Sequence, residues 1–176
     1  MCVIIIKTKG HALPSKKELK AAYLRNHDGC GFVSETRHYK SLDFEDFYNH
    51  LRVVPKGENV IIHFRWATHG SVSLANCHPF YDKKSGTWFA HNGILRVIPF
   101  RGKTDSETAF RRYLAPTISK WGLYSPQMKT IVSNIIDGSK FAFMKDGQLR
   151  VFGNFIEYGG CFYSNLHHLS VLRYAL

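Results

Sequence analysis

At 176 residues, 44% of them hydrophobic, the chain carries enough apolar material for one buried core, and no apolar run nears the roughly 20 residues that a membrane span needs. Residues 3–6 are too short for a signal-peptide core and no cleavage pattern follows them, so the expectation is a single domain over 2–176, free of the membrane and cytoplasmic. The formal charge of +11 invites nucleic acid or an acidic partner, yet the basic residues (Lys16, Lys17, Lys20, Lys83, Lys84, Arg111, Arg112) form no long run and no nucleic-acid motif.

In chain order, residues 2–7 read as a buried β-branched strand. Ser15 and Glu18 form a capping-box pattern ahead of the helical face Leu19, Ala22 and Tyr23. Asp28-Gly29 and Gly31 mark a turn before a strand over 32–36. Phe44, Phe47, Tyr48 and Leu51, at i, i+3, i+4 and i+7, predict a second helix. Strands are expected over 59–65 and 87–91, and a helix from Asp105 with Ala109, Phe110, Tyr113 and Leu114 on its apolar face. Ser125-Pro126 opens another helix, with the stripe Met128, Ile131, Val132, Ile135 and Ile136 and a stop at Gly138. Residues 141–144 and 149–152 flank Asp146-Gly147 as a hairpin. One or two more strands fall within 155–164, and 166–176 is ambiguous. Strands at both ends with helices between argue for an α+β fold, sheets with helices packed on them.

Cys2 is the most informative residue. Removal of Met1 leaves a thiol and a free α-amine on one residue, with unperturbed pKa values of roughly 8.5 and 7.7–8.0. The amine can then take the thiol proton, and the nucleophile needs no other base, no cofactor and no metal. The other three cysteines, at 30, 77 and 161, complete no CxxC pair and are expected to be reduced. Ten histidines invite a metal, but no HxxxH or HExxH spacing occurs.

Three polar clusters lie beside expected buried strands. His63-Phe64-Arg65-Trp66-Ala67-Thr68-His69-Gly70 ends a strand in an Arg, whose fork suits a carboxylate; the plainer alternative is a surface turn with a paired Arg. In His91-Asn92-Gly93, an Asn side-chain amide beside a Gly N–H makes a pair of oxyanion donors; the plainer alternative is an NG hairpin turn. In Thr104-Asp105-Ser106-Glu107, one carboxylate can receive a substrate ammonium; the plainer alternative is capping by Asp or Ser.

Taken together, these segments resemble the class II glutamine amidotransferase domain of the N-terminal-nucleophile hydrolases, in order and over nearly the whole chain. Cys2 sits at the family's nucleophile position. Arg25-Asn26-His27-Asp28-Gly29-Cys30-Gly31 resembles its Arg-Gly-x-Asp-Gly-x-Gly segment, with Asn26 in place of a glycine whose position calls for φ > 0. The 63–70 cluster resembles its His-x-Arg-Trp-Ala-Thr-His-Gly stretch, and Asn76-Cys77-His78-Pro79-Phe80 its Asn-x-His-Pro-Phe turn. His91-Asn92-Gly93, Thr104–Glu107 and the late Ser164-Asn165 strand end complete the match. Val3 stands where many members have glycine.

The resemblance implies a four-layer αββα sandwich of two antiparallel sheets. It also implies roles. Cys2 attacks the glutamine side-chain amide, and the Asn92 side chain and Gly93 N–H hold the oxyanion. Arg65, with Thr68 and His69, binds the α-carboxylate, and Asp105 binds the α-ammonium. A thioester forms, ammonia leaves and water releases glutamate. No synthase portion is expected, so the ammonia goes to a separate acceptor-site protein or the enzyme is a plain glutaminase. Two alternatives stay open: a non-catalytic basic module that keeps the fold, and an N-terminal-Cys hydrolase of another amide.

Overall fold

The computed structural model describes residues 1–67 and 70–172. The elements are β1 (Val3–Lys7), α1 (Lys16–Arg25), β2 (Cys30–Ser34), β3 (His38–Ser41), α2 (Phe44–Leu51), β4 (Val60–Phe64), β5 (Phe80–Asp82) and β6 (Thr87–Asn92), followed by α3 (Asp105–Ala109), α4 (Ala115–Trp121), α5 (Pro126–Ile135), β7 (Lys140–Lys145), β8 (Gln148–Phe152), β9 (Ile156–Tyr158), β10 (Cys161–Tyr163) and α6 (Leu169–Leu172). A π-helical stretch, Phe110–Leu114, joins α3 to α4, and a 3₁₀ turn covers Leu74–Asn76.

Two antiparallel sheets form, ordered β3-β2-β4-β1-β10-β9 and β5-β6-β7-β8. Strand alternation builds the layers. On β1, Val3 and Ile5 join a core with Leu19 and Ala22 of α1 and Phe44, Phe47 and Leu51 of α2. Ile4 and Ile6 face the other way, meeting Ala90 of β6 and Ala142 and Met144 of β7. Beyond the second sheet, Phe89, Phe141 and Phe143 pack against Ala109, Phe110, Leu114, Ile118, Met128 and Val132. The layers are therefore helix, sheet, sheet, helix, the expected sandwich. β1 is apolar at successive positions because it is buried on both faces.

Caps explain several boundaries. Ser15 Oγ accepts from Glu18 N–H, but Glu18 does not close the box; its Oε1 accepts from Tyr163 O–H at 2.5 Å. Ser125 caps α5 by accepting from Met128 N–H. Asp146 and Gly147 take φ of 49° and 73°, the double left-handed pair that a tight hairpin turn needs. Two short strands, β3 and β5, lay outside the sequence reading, and β2 starts at Cys30 rather than at residue 32.

Asn26 overturns an expectation. It has φ −138° and caps the end of α1, its side-chain amide donating to Ala22 O at 2.9 Å. The left-handed position in this segment belongs to Gly29, at φ 129°, where an added Cβ would strike Cys77 Sγ.

The registers bring distant residues to one end of the sandwich. Val3 pairs with Phe64, which sets Arg65 beside Cys2, and Ile5 pairs with Tyr163, which brings Ser164 and Asn165 alongside the first residues of β1. β6 of the second sheet ends at Asn92. No helix among the described residues is long and apolar enough to cross a membrane.

Candidate functional site

Cys2 is half-buried at the head of β1. Its Sγ accepts from Trp66 N–H at 3.3 Å and lies 3.4 Å from Trp66 O, and its carbonyl accepts from Asn165 Nδ2 at 2.8 Å. Burial raises the thiol pKa, while the Trp66 N–H bond and the nearby Arg65 charge oppose that rise. Neither Trp66 nor Asn165 had been given a role from sequence.

The Arg65–Ala67 segment is braced by the turn that follows α1. Arg65 N–H donates to Gly29 O, Asp28 N–H to Arg65 O, and Ala67 N–H to Asp28 Oδ2 at 2.7 Å. Arg65 is buried, and one guanidinium nitrogen donates to Ser71 O at 2.9 Å. Thr68 and His69 lie outside the described residues.

Thr104 caps α3, accepting from Glu107 N–H. Asp105 and Ser106 were the expected caps, and Thr104 relieves both of that duty. The Asp105 carboxylate instead accepts from Leu95 N–H at 2.8 Å through Oδ2, and from Ser106 N–H at 2.8 Å and Ser106 O–H through Oδ1. Ser106 Oγ also pairs with His91 Nδ1 at 2.7 Å. These bonds hold one charged group in one orientation.

Asn92 and Gly93 form no hairpin turn; β6 ends there and a long loop leads to α3. Gly93 has φ 146°, and an added Cβ would run into Ser139. The Asn92 side chain is buried and contacts Ser164 Oγ at 2.8 Å.

These parts border two adjoining cavities. The inner one, about 30 Å³, is lined by Cys2, Arg65, Gly93 and Asp105, with Trp66 and His78. The outer one, about 520 Å³, is lined by Met1, Cys2, Asn92, Gly93, Ile94 and Lys140 among others. So Cys2, Arg65, Gly93 and Asp105 meet in one hole, while Asn92 faces the outer side. A guanidinium and a carboxylate on one lining suit the two charges of a zwitterion, and a sulfur with an N–H beside it suits acyl transfer.

Three buried imidazoles gather at the inner cavity, with His78 and His91 in its lining and His63 behind them. His63 Nε2 lies 3.1 Å from His91 O, and the His63 and His78 rings are 4.4 Å apart. Burial lowers the pKa of all three, to about 3 for His63 and about 4 for His91. Both His78 nitrogens are buried without a hydrogen-bond partner among the described residues. No group of three or more His, Cys, Asp or Glu among those residues is arranged to hold a metal.

A family described as "Glutamine amidotransferases class-II" matches residues 50–152, more than half of the chain. A Haemophilus influenzae protein, provisionally named a glutamine amidotransferase, is 44% identical over 78 residues, which cover 37% of this chain and 26% of that protein. A glutamine–fructose-6-phosphate aminotransferase (isomerizing) of Methanococcus maripaludis is 33% identical over 87 residues, 45% of this chain and 14% of that protein. The chain thus spans about a quarter or less of these curated relatives. Among solved structures, the glutamine phosphoribosylpyrophosphate amidotransferase of B. subtilis, complexed with ADP and GMP, superposes with a TM-score of 0.60 at 21% identity, covering 93% of this chain and 41% of that one. At that identity the likeness speaks for the fold.

Proposed function

The chain belongs to the class-II glutamine amidotransferases, and from that premise we propose that it hydrolyses the side-chain amide of glutamine with Cys2 as its N-terminal nucleophile. Removal of Met1 frees the Cys2 amine, which takes the thiol proton and passes it to the leaving nitrogen. A C–S bond forms as the C–N bond breaks, giving a thioester and ammonia. Water then attacks the thioester with the amine as base, releasing glutamate and restoring the thiol.

The observation that carries this reading is the inner cavity, where the Cys2 thiol, the Arg65 guanidinium, the Gly93 backbone and the Asp105 carboxylate share one small hole although they are scattered through the sequence. Glutamine offers a carboxylate to Arg65, with Thr68 and His69 assisting, and an ammonium to Asp105. Its side-chain carbonyl then reaches Cys2, with the Gly93 N–H and the Asn92 amide as oxyanion donors. Leaving ammonia departs through the outer cavity toward an acceptor site, in the cytoplasm.

The test is glutamate release from glutamine by protein whose mature N-terminus is shown by mass spectrometry to be Cys2. Release that disappears in Cys2→Ala, with the fold retained, supports the proposal. A Met-free protein that releases none, alone or with a copurified partner, refutes it.

A further inference from the structure

Ser164 and Asn165 form a matched segment that the resemblance leaves without a role, and they touch both halves of the proposed machinery. Ser164 N–H donates to Ile4 O at 2.9 Å, and Ile4 N–H donates to Ser164 Oγ at 2.8 Å. Asn165 holds the Cys2 carbonyl. Across the gap between the sheets, Ser164 Oγ meets the Asn92 amide at 2.8 Å, with the two residues only 4% and 1% exposed.

As it stands, Asn92 Nδ2 is the atom against Ser164, and Asn92 Oδ1 is buried without a partner among the described residues. Ser164 Oγ then accepts from both Ile4 and Asn92, and its own hydroxyl proton has no assigned acceptor there. The two ends of an amide differ only in which hydrogen bonds they make. Flipping the Asn92 amide gives the serine hydroxyl proton an acceptor: Ile4 N–H donates to Ser164 Oγ, and Ser164 O–H donates to Asn92 Oδ1. The freed NH₂ group then takes the buried position that is unpartnered, where a developing negative charge is its natural acceptor.

We infer that Ser164 is a positioning residue, a hydroxyl fixed by the nucleophile strand that turns the Asn92 amide so that its NH₂ faces the reacting centre. The inference rests on the proposed glutaminase reading. It deepens that reading by tying the oxyanion donor to the backbone amide two residues beyond Cys2, so that nucleophile and donor are set by one strand pairing.

Three measurements test it. Glutamine hydrolysis by Ser164→Ala is expected to lose about 10- to 100-fold in kcat with KM within twofold, a part of what outright loss of an oxyanion donor costs. Alkylation of Cys2 by iodoacetamide, which builds no oxyanion, is expected to keep its rate, and Ser164→Thr, which keeps the hydroxyl, to recover most of the kcat. Neutron diffraction of the wild-type protein, which tells nitrogen from oxygen, is expected to find Oδ1 against Ser164. Unchanged kcat in Ser164→Ala, a parallel fall in kcat and alkylation, or Nδ2 against Ser164 in the neutron map overturns the inference while the glutaminase reading survives. A wild-type protein that releases no glutamate overturns the reading itself.

Discussion

The two cavities that meet at Cys2 differ in size and in how their walls are held. The inner one is a polar notch of about 30 Å³ in which each charged group is tied by backbone: Arg65 through Gly29 and Ser71, Asp105 through Leu95 and Ser106. The outer one is about 520 Å³, and its salt bridge, Arg96 with Asp137, sits in solvent with Arg96 89% exposed. Such a pair contributes little. A pre-organised notch can discriminate by geometry, whereas a roomy basin can only admit and release. Under the proposed function, recognition falls to the inner side and departure to the outer.

The most drastic way to break this picture is at the shared wall. Cys2→Ala is expected to bring glutamate release to background while leaving the melting temperature within a few degrees, since a half-buried thiol with weak backbone contacts carries little of the core. Retained turnover would move the chemistry elsewhere.

Next come the anchors of the notch. Arg65→Ala is expected to lower kcat/KM for glutamine by roughly 10²–10³, the scale of removing one partner from a desolvated charge pair. Asp105→Asn keeps the shape but drops the charge, and should cost somewhat less, about 10- to 100-fold, mostly in KM. Steady-state kinetics separate the two. An unaltered KM in both variants would favour a hydrolase of some other amide, which has no use for a paired Arg and Asp.

How much of this was legible beforehand depends on distance along the chain. The strand expected within residues 2–7, the Ser125-Pro126 helix start and the Asp146-Gly147 turn are local patterns, and they formed where the residues indicate. β3 and β5 were missed because three or four mixed residues at a sheet edge carry no apolar alternation; they exist by pairing with β2 and β6. The site divides the same way. Cys2, Arg65, Gly93 and Asp105 were named from their chemistry and family-like order. The Trp66 contact with the thiol and the Ser164 contact with Asn92 join residues 64 and 72 positions apart, and no spacing encodes them. Asn26 misled because a residue opposite a family glycine suggests a left-handed backbone, whereas here a side-chain cap on α1 replaced it.

Acid should test the inner side through stability. His63, His78 and His91 are neutral when folded because burial lowers their pKa values, to about 3 for His63 and about 4 for His91, against roughly 6.5 when unfolded. Below about pH 6.5 the unfolded chain binds protons that the folded one refuses, so the contribution of these histidines is level above about pH 7 and falls as the pH drops toward 4. Each such histidine contributes a slope near 1.3 kcal/mol per pH unit in that window. The lowered carboxylates Glu18 and Glu58 act only below about pH 4.5, so they do not confuse the result. Melting temperatures at pH 7.5, 6 and 5 should decline, with His91→Gln giving a shallower decline. A flat profile to pH 5 would mean that the imidazoles reach water.

The smallest effect is expected on the outer side, and there a small number is informative. Lys140 is half-buried and lines the larger cavity next to Gly93 and Ser139. If glutamine enters with both charges in the notch, its α-carboxylate never approaches this ammonium, and Lys140→Ala should leave kcat and KM for glutamine within about twofold. A bound glutamine turned end for end would place its carboxylate in the outer cavity, and the same variant would then raise KM by tenfold or more, the usual cost of an unpaired carboxylate. The orientation of the substrate, and with it the division of labour between the two cavities, is therefore decided by a residue that touches neither Arg65 nor Asp105 in the inner lining.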